Sequence, residues 1–219
     1  MIQRGYLRAI LVVAALILIQ RVNLLALALG TPVVFLGALL HLWTQGCLAP
    51  PNELTTWGPY RFVRHPFYVA NALVDIGICI IANNWLLYAV YPALFVVVCA
   101  FTIVREERSM AQRPGEAWQI YRKRVPMIIP YRWPAPSPPN RGFRWQNLAR
   151  EGELSRSIRL FAYPLLFHLW GQIMERGTIF WRKQETVDIL ELALLFGWYV
   201  SSLVVNWVIE KPAQRQDPT

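Results

Sequence analysis

Apolar residues in this chain come in blocks long enough to cross a lipid bilayer, and nothing else in it narrows the possible folds so far. About 20 apolar residues of helix span a hydrocarbon core, and in lipid only helices and closed barrels satisfy their own backbone. Six blocks can be counted. The first runs from Tyr6 to about Gln20 and the second from Leu24 to about Gln45, with Gly30-Thr31-Pro32 as an alternative turn between them. Phe67 to Ala82 and Trp85 to Val104 read as a helical hairpin closed by Asn83-Asn84. Ile158 to Met174 and Val187 to Ile209 form a third pair, with Trp170, Trp181, Trp198 and Trp207 around it, some at depths suited to an interfacial belt. The expected fold is all-α: a polytopic membrane protein of about six transmembrane helices, with no sheet. Composition agrees, because 219 residues that are 55% hydrophobic and 16% charged hold more apolar surface than a soluble domain can hide. Arg4 and Arg8 precede the first block as in a signal peptide, but no small-residue cleavage site follows, so an uncleaved helix is expected.

The net charge of +9 is informative through its distribution. With six spans, one side receives Arg4, Arg8, Arg61, Arg64, the twelve Lys or Arg from Arg105 through Arg159, Lys211 and Arg215; the other receives Arg21, Arg176, Arg182 and Lys183. That 18-to-4 division places both termini in the cytosol by the positive-inside rule. It also explains the basicity by attraction to anionic lipid rather than to nucleic acid. Cys47, Cys79 and Cys99, odd in number and without CxxC spacing, read as buried free thiols, and no metal site is expected.

Two cytosolic segments hold residues that a helix end does not need. Trp57-Gly58-Pro59-Tyr60-Arg61-Phe62-Val63-Arg64-His65-Pro66-Phe67-Tyr68 leads into the third helix, with Pro66 in the first turn, where its missing N–H costs nothing. Arg61 and Arg64 serve equally as topology anchors and the aromatics as an interfacial girdle. His65, at a helix N-terminus, would stay neutral and free to hydrogen-bond a bound group. The second segment is Arg105-Glu106-Glu107-Arg108-Ser109-Met110, at the end of the fourth helix. Paired carboxylates there oppose the helix dipole unless the helix runs on into the cytosol or a cation lies near; surface salt bridges to Arg105 and Arg108 are the plainer account.

Taken together, Gly58-x-Tyr60, Arg64-His65-Pro66-x-Tyr68, Glu106-Glu107, Gly115, Tyr121 and Val125-Pro126 resemble the isoprenylcysteine carboxyl methyltransferase and phospholipid methyltransferase superfamily, over roughly Leu36 to Trp133. The resemblance implies an integral membrane methyltransferase using S-adenosyl-L-methionine. Its cofactor would lie between the helix ends and the segment after the fourth helix, at Tyr60, Arg64, His65, Pro66, Phe67, Tyr68 and a glutamate of the Glu106-Glu107 pair. By spacing, Gln45 and the stretch Asn52, Glu53, Leu54 and Thr55 correspond to further family positions, with Asn52 in place of a histidine. Glu106 and Glu107 would bind the ribose hydroxyls or the methionine ammonium, and His65 and Tyr68 would fix the methionine portion, which makes these four the implied catalytic residues. Ala70 stands for a common glycine, Pro114 for an aromatic and Trp118 for a tyrosine. Thr102 stands where prenylcysteine-methylating members carry an arginine, which points away from isoprenylcysteine toward another lipophilic acceptor: a lipid, an isoprenoid, or a small apolar thiol or carboxylate.

The expected organisation is a methyltransferase core over 1–134, ended by the proline-rich stretch Pro130 through Pro139, a basic linker over 135–157, and a two-helix membrane extension over 158–219. The extension could shape the acceptor pocket, mediate dimerisation or bind a partner. Gly115 to Val125, with Trp118 and Tyr121 three apart, is expected to form a short interfacial helix closing over the cofactor. His41 and His168 on apolar helices read as packed residues. Two other functions fit the same pattern: a membrane reductase of sterol-reductase type using NADPH, and a non-catalytic protein that keeps the scaffold.

Overall fold

The computed structural model describes residues 4–19, 23–50, 53–111, 116–139, 141–150, 153–176 and 185–210. Every regular element among them is helical: α1 (Arg4–Leu18), α2 (Leu24–Gly46), a 3-10 turn (Gly58–Arg61), α3 (Pro66–Ala82), α4 (Trp85–Ala111), α5 (Ala117–Arg124), α6 (Trp145–Arg150), α7 (Glu153–Phe161), α8 (Tyr163–Arg176), α9 (Glu185–Val205) and a π-helical turn (Asn206–Glu210). Segments Leu24–Gly46, Trp85–Ala111 and Leu190–Glu210 are long and apolar enough to cross a membrane; Leu7–Leu18 and Pro66–Ala82 are shorter apolar helices. The all-helical membrane architecture is as expected.

Local chemistry sets the helix boundaries. Between the first two blocks the break falls before Asn23, whose side chain accepts the N–H of Ala26 at 3.0 Å as an N-cap. Gly30-Thr31-Pro32 is not a turn. Helix α2 runs through Pro32, and the Thr31 hydroxyl donates to the Leu27 carbonyl at 2.7 Å. The Asn83-Asn84 turn is present: Asn83 takes a left-handed conformation (φ 46°) and closes α3, while the Asn84 side chain accepts the N–H of Leu86 at 3.0 Å. The block from Ile158 to Met174, expected as one span, is two helices broken at Ala162. Pro164 has no N–H to continue the ladder, so α8 begins afresh at Tyr163 with proline in its first turn.

Helices α2 and α3 pack closest. A Cβ built on Gly37 would lie 2.7 Å from the Val74 nitrogen, and one on Gly77 would lie 2.8 Å from the Val34 nitrogen. Both distances are shorter than real contacts, so these positions admit only hydrogen, and the two backbones touch along a stripe of small residues. Ala70, fully buried, belongs to that stripe through its carbonyl against Gly37.

Around this pair sits a polar network inside the apolar bundle that the block pattern did not announce. Arg8 on α1 donates Nε to Asp75 Oδ1 at 2.6 Å and Nη2 to Asn71 Oδ1 at 2.8 Å, and Tyr91 on α4 donates to Asp75 Oδ2 at 2.8 Å. Arg8 therefore acts within the bundle, balancing Asp75, rather than as a loop charge. Helix α4, at 27 residues, is about 40 Å long and outruns a hydrocarbon core of about 30 Å. Its last two turns carry Glu106 and Glu107 beyond the apolar stretch.

Within the segment expected as a linker, Arg144 and Asn147 dock onto the C-terminal end of α2. The Asn147 side chain donates to the carbonyls of Gly46 at 3.0 Å and Leu48 at 2.8 Å, and the N–H of Arg144 reaches Gly46 at 2.8 Å. These donors satisfy carbonyls that a helix end leaves open.

Candidate functional site

The site grows from the loop between α2 and α3. Gly58 is at φ +59°, and a Cβ there would lie 2.4 Å from the Cys47 sulfur, so glycine alone fits the turn that starts the Gly58–Arg61 segment. The loop is then laid against the chain after α5. The N–H groups of Arg64 and His65 donate to the carbonyls of Pro126 at 2.8 Å and Met127 at 3.1 Å, and the N–H of Ala135 donates to Arg61 at 3.1 Å. Tyr121 donates its hydroxyl to the Tyr60 carbonyl at 2.8 Å. Burial pushes that hydroxyl well above the usual tyrosine range, which keeps it a donor throughout the physiological range.

This frame aims three polar side chains from one five-residue stretch, 64–68, at the two glutamates. Arg64 donates Nε and Nη2 to Glu107 Oε1 at 2.9 and 2.7 Å, while its Nη1 holds the carbonyls of Arg122 and Val125 at 2.9 and 2.8 Å. His65 sits between the carboxylates, with Nε2 3.3 Å from Glu107 Oε1 and Nδ1 3.6 Å from Glu106 Oε2. Tyr68, one turn into α3, donates to Glu106 Oε1 at 3.1 Å. Adjacent in sequence, the two glutamates have different surroundings. The Glu107 side chain is 10% exposed, with Arg122 3.7 Å away on its second oxygen; that of Glu106 is 30% exposed.

Glu106 opens onto a cavity of about 1650 Å³. Gln45 and Phe67 of the expected site residues line it too, together with His41, Asn71, Thr102 and Arg105. The Gln45 side chain, buried, donates to the Asn147 carbonyl at 3.2 Å. The cavity continues along α1, α7, α8 and α9, where Val12, Leu160, Leu166, Leu192, Leu195 and Phe196 make it apolar. Pockets for drug-sized ligands measure about 300–1,000 Å³, so this cavity is larger than one such ligand needs. His41, whose ring meets Phe67 edge-on at 5.1 Å, borders the cavity although its sequence neighbourhood suggested packing alone.

The remaining expected residues are placed around the site rather than in the cavity wall. Arg64, His65, Tyr68 and Glu107 form the clamp behind Glu106, and Pro66 is the buried start of α3. Tyr60 is buried under Tyr121. Glu53 pairs with Arg141, Leu54 packs on Trp118, Tyr121 and Val125, and Thr55 accepts the N–H of Ala49 at 2.9 Å. Asn52, Pro114 and Gly115 lie outside the described residues. Helix α5 forms as expected, but Trp118 and Tyr121 turn inward to this cluster rather than over the cavity. Cys47, Cys79 and Cys99 are buried and free, and burial pushes the Cys47 thiol up, away from a reactive thiolate.

Gln45, the loop, α3 and the paired glutamates form one constellation, and its residues fall in one stretch of chain that can be compared with known proteins. Residues 24–117 match the phospholipid methyltransferase family. The family segment holds Gln45 through Glu107 and ends before Trp118; helices α6 to α9 lie beyond it. A methanethiol S-methyltransferase of Crocosphaera subtropica is 33% identical over 37% of this chain and 31% of its own length. The cobalt-zinc-cadmium resistance protein CzcN of Cupriavidus metallidurans is 32% identical over 50% of this chain and 51% of its own. A mouse Δ14-sterol reductase, TM7SF2, is 33% identical over 38% of this chain and 20% of its own. The chain thus spans about half the length of these relatives or less. No solved structure matches it.

Proposed function

We propose that the protein is an integral membrane methyltransferase that moves a methyl group from S-adenosyl-L-methionine to a lipophilic acceptor. The observation that carries this reading is the Glu106 carboxylate, held by Tyr68 and His65 on a cavity lined mainly by apolar side chains. The residues there fit such a cofactor: a partly exposed carboxylate suits an ammonium or ribose hydroxyls, and Arg105, also lining the cavity, suits a carboxylate. When bound, the cofactor supplies an electrophilic methyl group on a sulfonium, which passes to a nucleophilic acceptor atom and leaves a neutral thioether. The chain's own part is positioning. Glu106 binds; Arg64 and Glu107 lock the loop that carries His65 and Tyr68; the apolar wall excludes water, which favours a reaction in which charge is neutralised. The 17-to-4 division of basic residues that remains with Arg8 set aside supports a site on the cytosolic face, with both termini on that side. The acceptor arrives through the bilayer, along the cavity's apolar arm.

Calorimetric titration of the purified full chain tests the reading. S-adenosyl-L-methionine should bind and NADPH should not. Glu106→Ala should weaken that binding by about 10- to 100-fold, the worth of a hydrogen bond to a charged group. Folded wild-type protein that binds no S-adenosyl-L-methionine overturns the proposal, and NADPH binding instead favours the reductase reading to which the sterol-reductase likeness gives support. Transfer of a labelled methyl group into a lipid extract then identifies the acceptor.

A further inference from the structure

Part of the cavity is lined by helices beyond the family segment, and the cavity as a whole carries a charge unusual for an apolar surface. Four arginines and one glutamate are the ionised groups along it: Arg8, Arg105, Arg156, Arg159 and Glu106. Arg8 is committed to Asp75. Arg159 differs, because among the described residues its guanidinium makes one hydrogen bond, Nη1 to Ser202 Oγ at 2.8 Å, and no ion pair. Ser202 is fully buried and donates in turn to the Ser155 carbonyl at 3.2 Å, so this single contact fixes where the guanidinium points. An arginine carries five N–H donors in a planar fork, and four remain.

The wall around Arg159 is a built one. Trp198 donates its indole N–H to the Ile158 carbonyl at 2.5 Å, tying α9 to α7. The buried Glu210 carboxylate accepts the N–H of Ser155 at 2.9 Å and the Asn206 amide at 2.8 Å, which anchors the first turn of α7. A guanidinium held in this way beside Leu160, Leu166, Leu192, Leu195 and Phe196 is costly without a counter-charge, and its donor geometry matches a carboxylate or a phosphate.

We infer that this wall binds the acceptor as an amphiphilic anion, with a carboxylate or phosphate group on Arg159 and an apolar chain along α7 to α9. Calling the ligand the acceptor rests on the methyltransferase reading; the binding itself does not. The test is a titration of the full chain in uncharged detergent with hexadecanoate, hexadecyl phosphate, hexadecanol and hexadecyltrimethylammonium. At least one anion should bind about tenfold or more tighter than hexadecanol, by the worth of one charge-assisted hydrogen bond. The stronger of the two anions identifies the head group. Arg159→Gln should abolish the preference and leave hexadecanol binding unchanged, whereas Arg159→Lys, which keeps the charge but not the fork, should retain part of it. Equal binding of the alcohol and both anions by wild-type protein overturns the inference without recourse to any variant, as does tighter binding of the cation or a preference that survives Arg159→Gln. Parallel titration with S-adenosyl-L-methionine separates the two readings. Wild-type protein that discriminates anions but binds no cofactor retains this site and loses the methyltransferase; the opposite result loses only this site.

Discussion

Helices α2 and α3 meet through close backbone approach at glycines, whereas α7 and α9 are joined through polar side chains. In the first pair Gly30, Gly37 and Gly77 bring backbone against backbone. In the second, Trp198, Arg159, Ser202 and Glu210 reach across a wider gap. Close packing fixes the start of α3 and with it the positions of His65 and Tyr68. The wider pair leaves room, and that room is the apolar arm of the cavity. Rigidity and volume are thus divided between the family segment and the helices beyond it.

The comparison can be broken hardest at the clamp. Glu107→Ala should cost about 3–5 kcal/mol, because it leaves the Arg64 guanidinium buried without its partner. Thermal unfolding in detergent measures it, and Glu106→Ala, at the more exposed carboxylate, should unfold close to wild type. Next comes the helix pair. Gly37→Val should destabilise by about 1–3 kcal/mol, since two backbones must separate to admit it. The same measurement on Gly197→Ala in α9, where an added Cβ meets nothing within 4 Å, should give a change within about 0.5 kcal/mol. Equal losses at the two glycines would erase the distinction between the pairs. Between these extremes, Tyr121→Phe should cost about 1 kcal/mol by removing the donor to Tyr60. Its burial also sets a pH dependence: the folded hydroxyl holds its proton above the usual tyrosine range while the unfolded one releases it, so this contribution is complete below about pH 10 and fades as pH rises further. A wild-type unfolding temperature that falls more steeply above pH 10 than that of Tyr121→Phe checks it.

Much of the frame was legible in the residues. The apolar blocks located α1 to α4 and α9, Asn83-Asn84 located a turn, and the Arg64-His65-Pro66 and Glu106-Glu107 motifs singled out side chains that the fold brings within hydrogen-bonding distance of one another. Asp75 was passed over, although a lone carboxylate in an apolar block is a signal of its own, and Arg8 was read as a loop charge although Asp75 is its partner. Each makes sense only beside the other, and they are 67 positions apart. The break at Ala162 went unread because hydrophobicity continues across Pro164 while the hydrogen-bond ladder does not. The docking of Asn147 on α2 left no periodic signal, since it rests on one side chain reaching two carbonyls and on its own carbonyl accepting from Gln45.

The amino-acid sequence by itself determined that this chain is a helical membrane protein with a segment that matches the phospholipid methyltransferase family, because hydrophobic block length and short-range motifs are properties of neighbouring residues. Only the tertiary structure decided which of two adjacent glutamates opens to the cavity and which is consumed by Arg64. It alone brought Arg159, from outside the family segment, to the same cavity. Both outcomes depend on how far apart helices stand and which way their faces turn, and those quantities are set by long-range packing that no local pattern encodes.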